Sequence, residues 1–260
     1  MLSLGRCLMC LTAANLFASP STAQDMMRHV DLSTPAFSLA ETTRAEVQAS
    51  LRASRGGADL SGKSLNGLDL SGLDLSGVNF RAAKMNKTKL TGARLDGAIL
   101  DQVWAIGADF SQASLRKASL FGSQMQEAKC DGADFSFARV TADLSRASLR
   151  NANFTGADLA ADMRNQSMGL MRAVLKSADL AGTIFKDANL GSTDLQFAKF
   201  FGANFSGASL AGAEAGGADF RGAIFDHTNV DGTDITSARI EAAQSETFAR
   251  AKNFERAFRE

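Results

Sequence analysis

A solenoid of short repeated units is the fold the sequence predicts, on three observations. First, an apolar residue recurs every five positions from Leu60 to Val140, reading L-L-L-L-F-M-L-L-L-A-F-L-L-M-C-F-V. The same frame resumes from Leu170 to Ile240 as L-L-L-F-L-L-F-F-L-A-F-F-V-I-I, again with no charged entry. Second, a small residue stands two places before these centres, as in Ala108-Asp109-Phe110 and Ala218-Asp219-Phe220. Third, glycine closes many of the units, among them Gly62, Gly67, Gly72, Gly77, Gly202, Gly207 and Gly212. Helix and strand side chains repeat every 3.6 and 2 residues, so a period of five belongs to neither. A fixed internal period of this kind marks stacked units, each burying its apolar side only against its neighbours.

Each unit reads small–polar–apolar–variable–Gly/Ala, plainly in Ala58-Asp59-Leu60-Ser61-Gly62. The apolar centre and the small residue before it are expected to point inward. The other three positions carry Asp, Asn, Ser, Lys, Arg and Gly, as a wet surface requires. A closing glycine suits a tight turn, because a positive φ costs it little.

These residues closely resemble the pentapeptide-repeat family, whose motif is A-(D/N)-L-x-x, over residues 57–241. The resemblance implies an all-β fold, a right-handed quadrilateral β-helix of about nine coils with four repeats to the coil. It also implies internal ladders. One would stack Leu60, Phe80, Leu100, Leu120, Val140, Leu159, Leu180, Phe200, Phe220 and Ile240. The next would stack Leu65, Met85, Ala105, Met125 and Leu144, then Phe185, Phe205 and Phe225. The period slips once: Val140 to Leu144 is one residue short and Leu159 to Leu170 is one residue long. The two offsets cancel in the count, so the later coils are expected in the original frame. Residues 161–168 form the weakest stretch and are expected to bulge.

The ends read differently. Arg6 and the α-amino group, the apolar run Cys7–Phe17 and the small residues Ser21-Thr22-Ala23 have the layout of a secretory signal peptide cut after Ala23. That predicts a periplasmic or secreted protein, and an apolar run too short to span a bilayer. Cys7 and Cys10 fall inside this segment, which leaves Cys130 alone and no intramolecular disulfide. Residues 24–56 are expected to form an N-terminal segment. Within it, Thr43 and Glu46 fit a capping box, Val47 and Leu51 lie one turn apart, and Gly56-Gly57 would stop the helix, predicting a helix over 43–54 above the first coil. At the other end, residues 242–260 carry Phe248, Ala251, Phe254 and Phe258 as one helical stripe. A helix over 245–259 is expected, capping the last coil or pairing with a second copy in a homodimer, as the family resemblance suggests.

No catalytic, cofactor or metal constellation stands out. His29 and His227 lack partners at metal-ligand spacing. The aspartates before repeat centres (Asp59, Asp69, Asp74, Asp109, Asp134, Asp219) recur because the motif recurs, and read as structural. The glycines have no helix behind them to cradle a phosphate. The best-known members of the family that the repeats resemble mimic DNA, bind type II topoisomerases and protect them from quinolones. That mimicry needs a strongly negative surface. Here 28 basic residues balance 28 acidic ones, so a topoisomerase modulator is the alternative reading and nucleic acid is not an expected partner.

What remains is recognition by surface, with an unidentified protein as partner. Trp104, Ile106, Ile184 and Ile224 are expected to project from the second side, with Phe121 and Phe201 at its edge, in a low-charge setting. Phe137 and Phe197 are expected on another corner. An anion collar is the second candidate, from Arg81, Lys84, Lys87, Lys89 and Arg94, which no acid interrupts between Asp74 and Asp96.

Overall fold

The computed structural model describes residues 30–54, 57–162 and 171–260. The predicted signal segment and most of the expected bulge, residues 163–168, lie outside these. The repeats form a β-helical solenoid held by single-residue parallel bridges that fall into four ladders. The first runs Asp59–Asn79–Ile99–Ser119, the second Ser64–Lys84–Trp104–Gln124, the third Asp69–Lys89–Asp109–Lys129 and the fourth Asp74–Arg94–Ser114–Asp134. Partners stand twenty residues apart, so four bridges are made before the chain returns above itself.

Each unit satisfies its backbone between turns of the winding, as buried amides require. Leu65 N–H donates to the Lys84 carbonyl (2.7 Å), Lys84 N–H to the Lys63 carbonyl (2.9 Å), and Gly67 N–H to the Asn86 carbonyl (2.9 Å). The corner then closes with Leu68 N–H on the Leu65 carbonyl (3.1 Å). The unit's last residue takes a left-handed φ, between +63° and +72° at the glycines. Ala82, Lys87, Gln102 and Phe137 adopt the same conformation without being glycine, a cost of roughly 1 kcal/mol each.

The core is a single column of repeat centres and small residues, nearly all fully buried. In the fourth ladder Phe135, Phe154, Phe185, Phe205 and Phe225 stack face to face at centroid spacings of 4.7, 5.1, 5.0 and 5.1 Å. Ala105 lies between Met85 and Met125 in the second, where the flexible thioethers fill the room it leaves. Cys130 is buried in the third, and burial pushes its thiol pKa up.

The ladders correct the expected frame. Bridge partners are 19 residues apart across Val140–Leu144 (Gln124 with Asp143) and 31 apart across the insertion (Asp143 with Val174, Asp158 with Asn189). Leu149 N–H therefore donates to the Asp179 carbonyl (2.8 Å), and Phe154 stacks on Phe185. Leu180, Phe200, Phe220 and Ile240 stand in the ladder of Leu70, not that of Leu60. Phe185, Phe205 and Phe225 continue the fourth ladder, not the second. Between Asp158 and Val174 the ladders advance by only one position, from the first to the second, so a count in fives keeps its phase while the later coils turn by half a circuit.

Both ends are covered. Short helix α1 (Pro35–Ser38) and helix α2 (Arg44–Ala53) precede the first coil. In α2, Thr43 accepts from Glu46 N–H while the Glu46 carboxylate accepts from Thr43 N–H at 2.7 Å. Val47 is buried and Leu51 packs on the core. Arg44 clamps the helix by donating to the Asp69 and Ser71 carbonyls (2.6 and 3.0 Å).

The C-terminal helix expected over 245–259 does not form. Three 3-10 turns replace it (Ala242–Gln244, Thr247–Arg250, Phe254–Arg256), followed by strand β2 (Phe258–Arg259) paired in parallel with β1 (Arg239–Ile240). The last full coil offers unpaired ladder groups that a helix, bonded to itself, would leave bare. Instead Ile235 N–H donates to the Lys252 carbonyl (3.2 Å), Lys252 N–H to Thr233 (2.8 Å) and Phe258 N–H to Ala238 (2.8 Å). Phe248 alone of the predicted stripe is fully buried, against Phe220 and Phe225 at 5.6 and 5.0 Å.

Candidate functional site

The corrected frame separates the apolar residues expected on one side. Trp104 belongs to the second ladder and Ile184 and Ile224 to the fourth, two ladders away. Phe121 follows Leu120 at the corner after the first ladder, whereas Phe201 follows Phe200 at the corner after the third. Phe137 and Phe197, expected to share a column, likewise occupy opposite corners. Two surfaces result, with different surroundings.

The first surface is not free. Trp104, Ile106 and Phe121 are half-buried. The Phe37 ring meets Trp104 edge-on at a centroid distance of 4.9 Å, and Lys84 places its ammonium 5.4 Å from the Phe37 ring. Asn86 donates its amide to the Phe37 carbonyl (3.1 Å), and Asn66 donates to those of Ala36 and Leu39 (3.4 and 3.3 Å). Residues 32–39 therefore lie as an arm over the second ladder. Sequence reasoning missed the role of Asn66 and Asn86. The available signal was two buried-side amides twenty residues apart at equivalent turn positions.

The second surface is open. Ile184, Phe201 and Ile224 are 40%, 63% and 46% exposed. Ile184, Asn204 and Ile224 are consecutive rungs of the fourth ladder, with Phe201 at its corner. Glycines 182, 202 and 222 flank them, so the ring and the branched side chains stand above a low-relief backbone.

The five cations wind around the tube and do not converge. Arg81 pairs with Asp101 (3.2 Å) and Arg94 with Asp74 (3.6 Å). Lys89 stands between Asp69 and Asp109 in the third ladder. Lys84 faces the arm, and Lys87 occupies a left-handed corner position beside it.

The motif aspartates act on the backbone. Asp59, Asp69, Asp74 and Asp109 each accept the N–H two residues on, at 2.9–3.1 Å. The Ser61 and Ser71 backbone bonds hold Asp59 and Asp69 below the usual carboxylate range, and the Ser76 hydroxyl does so for Asp74. The most buried charge cluster lies on the second ladder. Arg172 donates to both Glu214 oxygens (2.7 and 3.0 Å), and Asp194 stands 3.8 Å away. Burial raises the Asp194 pKa, and the Arg172 hydrogen bond lowers that of Glu214. Among the described residues no group of three His, Cys, Asp or Glu side chains gathers as a metal site, and no helix is long and apolar enough to cross a membrane.

The repeat has a known counterpart. The family model for pentapeptide repeats matches eight copies, over residues 64–102, 106–141, 128–161, 170–207 and 203–241. The chain belongs to the pentapeptide-repeat family. Among solved structures, a trypsin-treated, singly substituted form of QnrB1, a plasmid-mediated fluoroquinolone resistance protein, is 18% identical to this pentapeptide-repeat protein. The match covers 68% of this chain and 81% of that one, with a TM-score of 0.51. HetL, involved in heterocyst differentiation regulation in the cyanobacterium Nostoc sp. strain PCC 7120, is 26% identical over 75% of this chain and 98% of its own, with a TM-score of 0.29. No curated protein sequence matches. In this pentapeptide-repeat protein the family's Asp or Asn before the centre has a visible reason: where present, its side chain accepts the backbone N–H two residues on and closes the corner.

Proposed function

We propose that this pentapeptide-repeat protein is an exported, non-enzymatic binding module, a rigid right-handed, four-sided rod of about nine coils that presents a protein-contact surface. The observation that carries the reading is an exposed trio: Ile184 and Ile224 on the fourth ladder, whose other rungs are Asp, Arg, Ser or Asn, with Phe201 at the corner before it. Exposed apolar groups gathered on one side mark contact sites, and aromatic anchors dominate their energetics. Export is supported by the signal-like layout of residues 1–23. The balance of 28 basic and 28 acidic residues favours a protein partner over phosphate mimicry.

Two measurements test this reading. Mass spectrometry of the native protein from the periplasmic fraction is expected to show a chain beginning at Gln24. An uncleaved chain in the cytosol would remove export and restore the topoisomerase alternative. The Phe201→Ser, Ile224→Ser double variant is expected to keep its fold and to lose the partner that the wild type captures from periplasmic extract. An unchanged partner list would make the trio incidental.

A further inference from the structure

The second ladder carries a recognition site already occupied by the chain itself. The arm touches the rod through two kinds of contact. Its Phe37 ring packs on Trp104 under the Lys84 ammonium, and the carbonyls of Ala36, Phe37 and Leu39 accept from Asn66 and Asn86. Both asparagines are largely buried, at 4% and 7% exposure. The Ser64 hydroxyl adds a further donor to Leu39. Beside Phe37 a cleft of about 290 Å³, lined by Leu32, Asn86, Lys87 and Ile106, stays open.

These asparagines do two jobs that the rest of the rod separates. Asn66 Oδ1 accepts Asn86 N–H, and Asn86 Oδ1 accepts Ile106 N–H, both at 2.9 Å. Aspartate does the same work at other corners: Asp96 accepts from Arg116 N–H (3.2 Å), Asp101 from Phe121 N–H (3.1 Å) and Asp131 from Arg150 N–H (3.0 Å). The corner therefore needs only an acceptor. The Asn86 amide NH2 is directed at the arm, and that of Asn66 donates both to the arm and to the Ser64 hydroxyl (2.9 Å), which itself donates to Leu39.

We propose that this surface is a peptide-docking groove, held by residues 32–39 until an extended segment of a partner displaces them. The chemistry of the resident arm specifies the occupant: an aromatic ring for Trp104 and Lys84, flanked by free backbone carbonyls for Asn66 and Asn86. Side-chain pockets and main-chain contacts together are how extended peptides are read. Tethering gives the arm an effective concentration of roughly millimolar order, so a competitor must bind well or the arm must loosen first. This site is separate from the Ile184–Phe201–Ile224 surface and stands or falls independently of it.

Trp104 is the chain's single tryptophan and there is no tyrosine, so its emission reports the groove directly. In the full chain, Phe37→Ala is expected to red-shift that emission. A synthetic peptide of residues 30–42 is expected to reverse the shift saturably, and the same peptide carrying Phe37→Ala is not. The double variant Asn66→Asp, Asn86→Asp keeps both corner acceptors and its far-UV circular dichroism, shows the red shift, and does not respond to the peptide. Unchanged emission in Phe37→Ala, or equal peptide binding by the Asp double variant, would overturn the groove.

Discussion

The Phe197 ring lies across Gly217 of the next coil. A Cβ at 217 would fall 2.5 Å from Cδ1 and 2.6 Å from Cε1 of that ring, and both residues hold left-handed φ values, +58° and +69°. Phe137 covers Gly156 in the same way. At these two corners the phenyl ring leaves room for glycine alone above it. By contrast Gly62, at φ +65°, has nothing within 4 Å. Gly62→Ala is expected to cost about 1 kcal/mol from backbone conformation alone. Gly217→Ala is expected to cost about 1–3 kcal/mol more, through overpacking. In a Phe197→Ala background that excess should vanish, as a double-mutant cycle on chemical denaturation measures. Additive effects would mean the ring moves aside freely.

The inward and outward positions of one unit are expected to differ sharply. Phe205 is fully buried between Phe185 and Phe225, while neighbouring Ser206 faces out and donates to Asn204. Phe205→Asp places a carboxylate among phenyl rings and is expected to cost at least about 4 kcal/mol. Ser206→Asp is expected to change stability by less than about 0.5 kcal/mol. Similar melting temperatures for the two would contradict the assigned faces.

The repeat centres, the capping box at Thr43 and Glu46, and the inward Cys130 were legible because each is local: a fixed spacing or a four-residue motif determines it. The phase after residue 162 was not, since apolar periodicity counts residues and does not show how many ladders they cross. That is why a count in fives puts Ile184 and Phe201 on the side of Trp104. The arm was illegible for a related reason. Asn66 meets Ala36 and Leu39 only because the coil brings a distant corner beneath them. Phe248, Phe254 and Phe258 carry a helical spacing, yet the open ladder edge at Thr233–Ala238 decides their backbone.

Stability is expected to fall in acid. The folded-state pKa values of Asp59, Asp69 and Asp74 lie below the ordinary value because corner hydrogen bonds favour the ionised form. A depressed pKa contributes stability above the unfolded value of about 3.9, and that contribution is lost as pH falls through the lower folded value. The melting temperature should be level from neutral pH to about 5 and then drop. The triple variant Asp59→Asn, Asp69→Asn, Asp74→Asn keeps an acceptor at each corner, as Asn153, Asn204 and Asn229 do natively. It should therefore melt near the wild type at pH 7 with a shallower fall below pH 4. Superimposable pH profiles would show that these carboxylates do not carry the effect.

The C-terminal cover should act as a plug. Phe248 seals the end of the tube against Phe220 and Phe225, and Gln244 donates its amide to the Phe220 and Ala223 carbonyls at 3.2 and 2.8 Å. Phe258, on β2, is 57% exposed. Repeat arrays need such caps because the last coil has no neighbour to bury its apolar edge. Phe248→Ala is expected to destabilise by about 3–5 kcal/mol, and Phe258→Ala by less than about 0.5 kcal/mol. Truncation after Ala243 removes plug and β2 together and exposes both the phenyl rings and the ladder groups at Ile235 and Ala238. Such a chain should aggregate, which light scattering during purification would reveal. A truncated chain as soluble and heat-stable as the full protein would mean that the last coil closes without help, and that residues 244–260 serve some purpose other than sealing it.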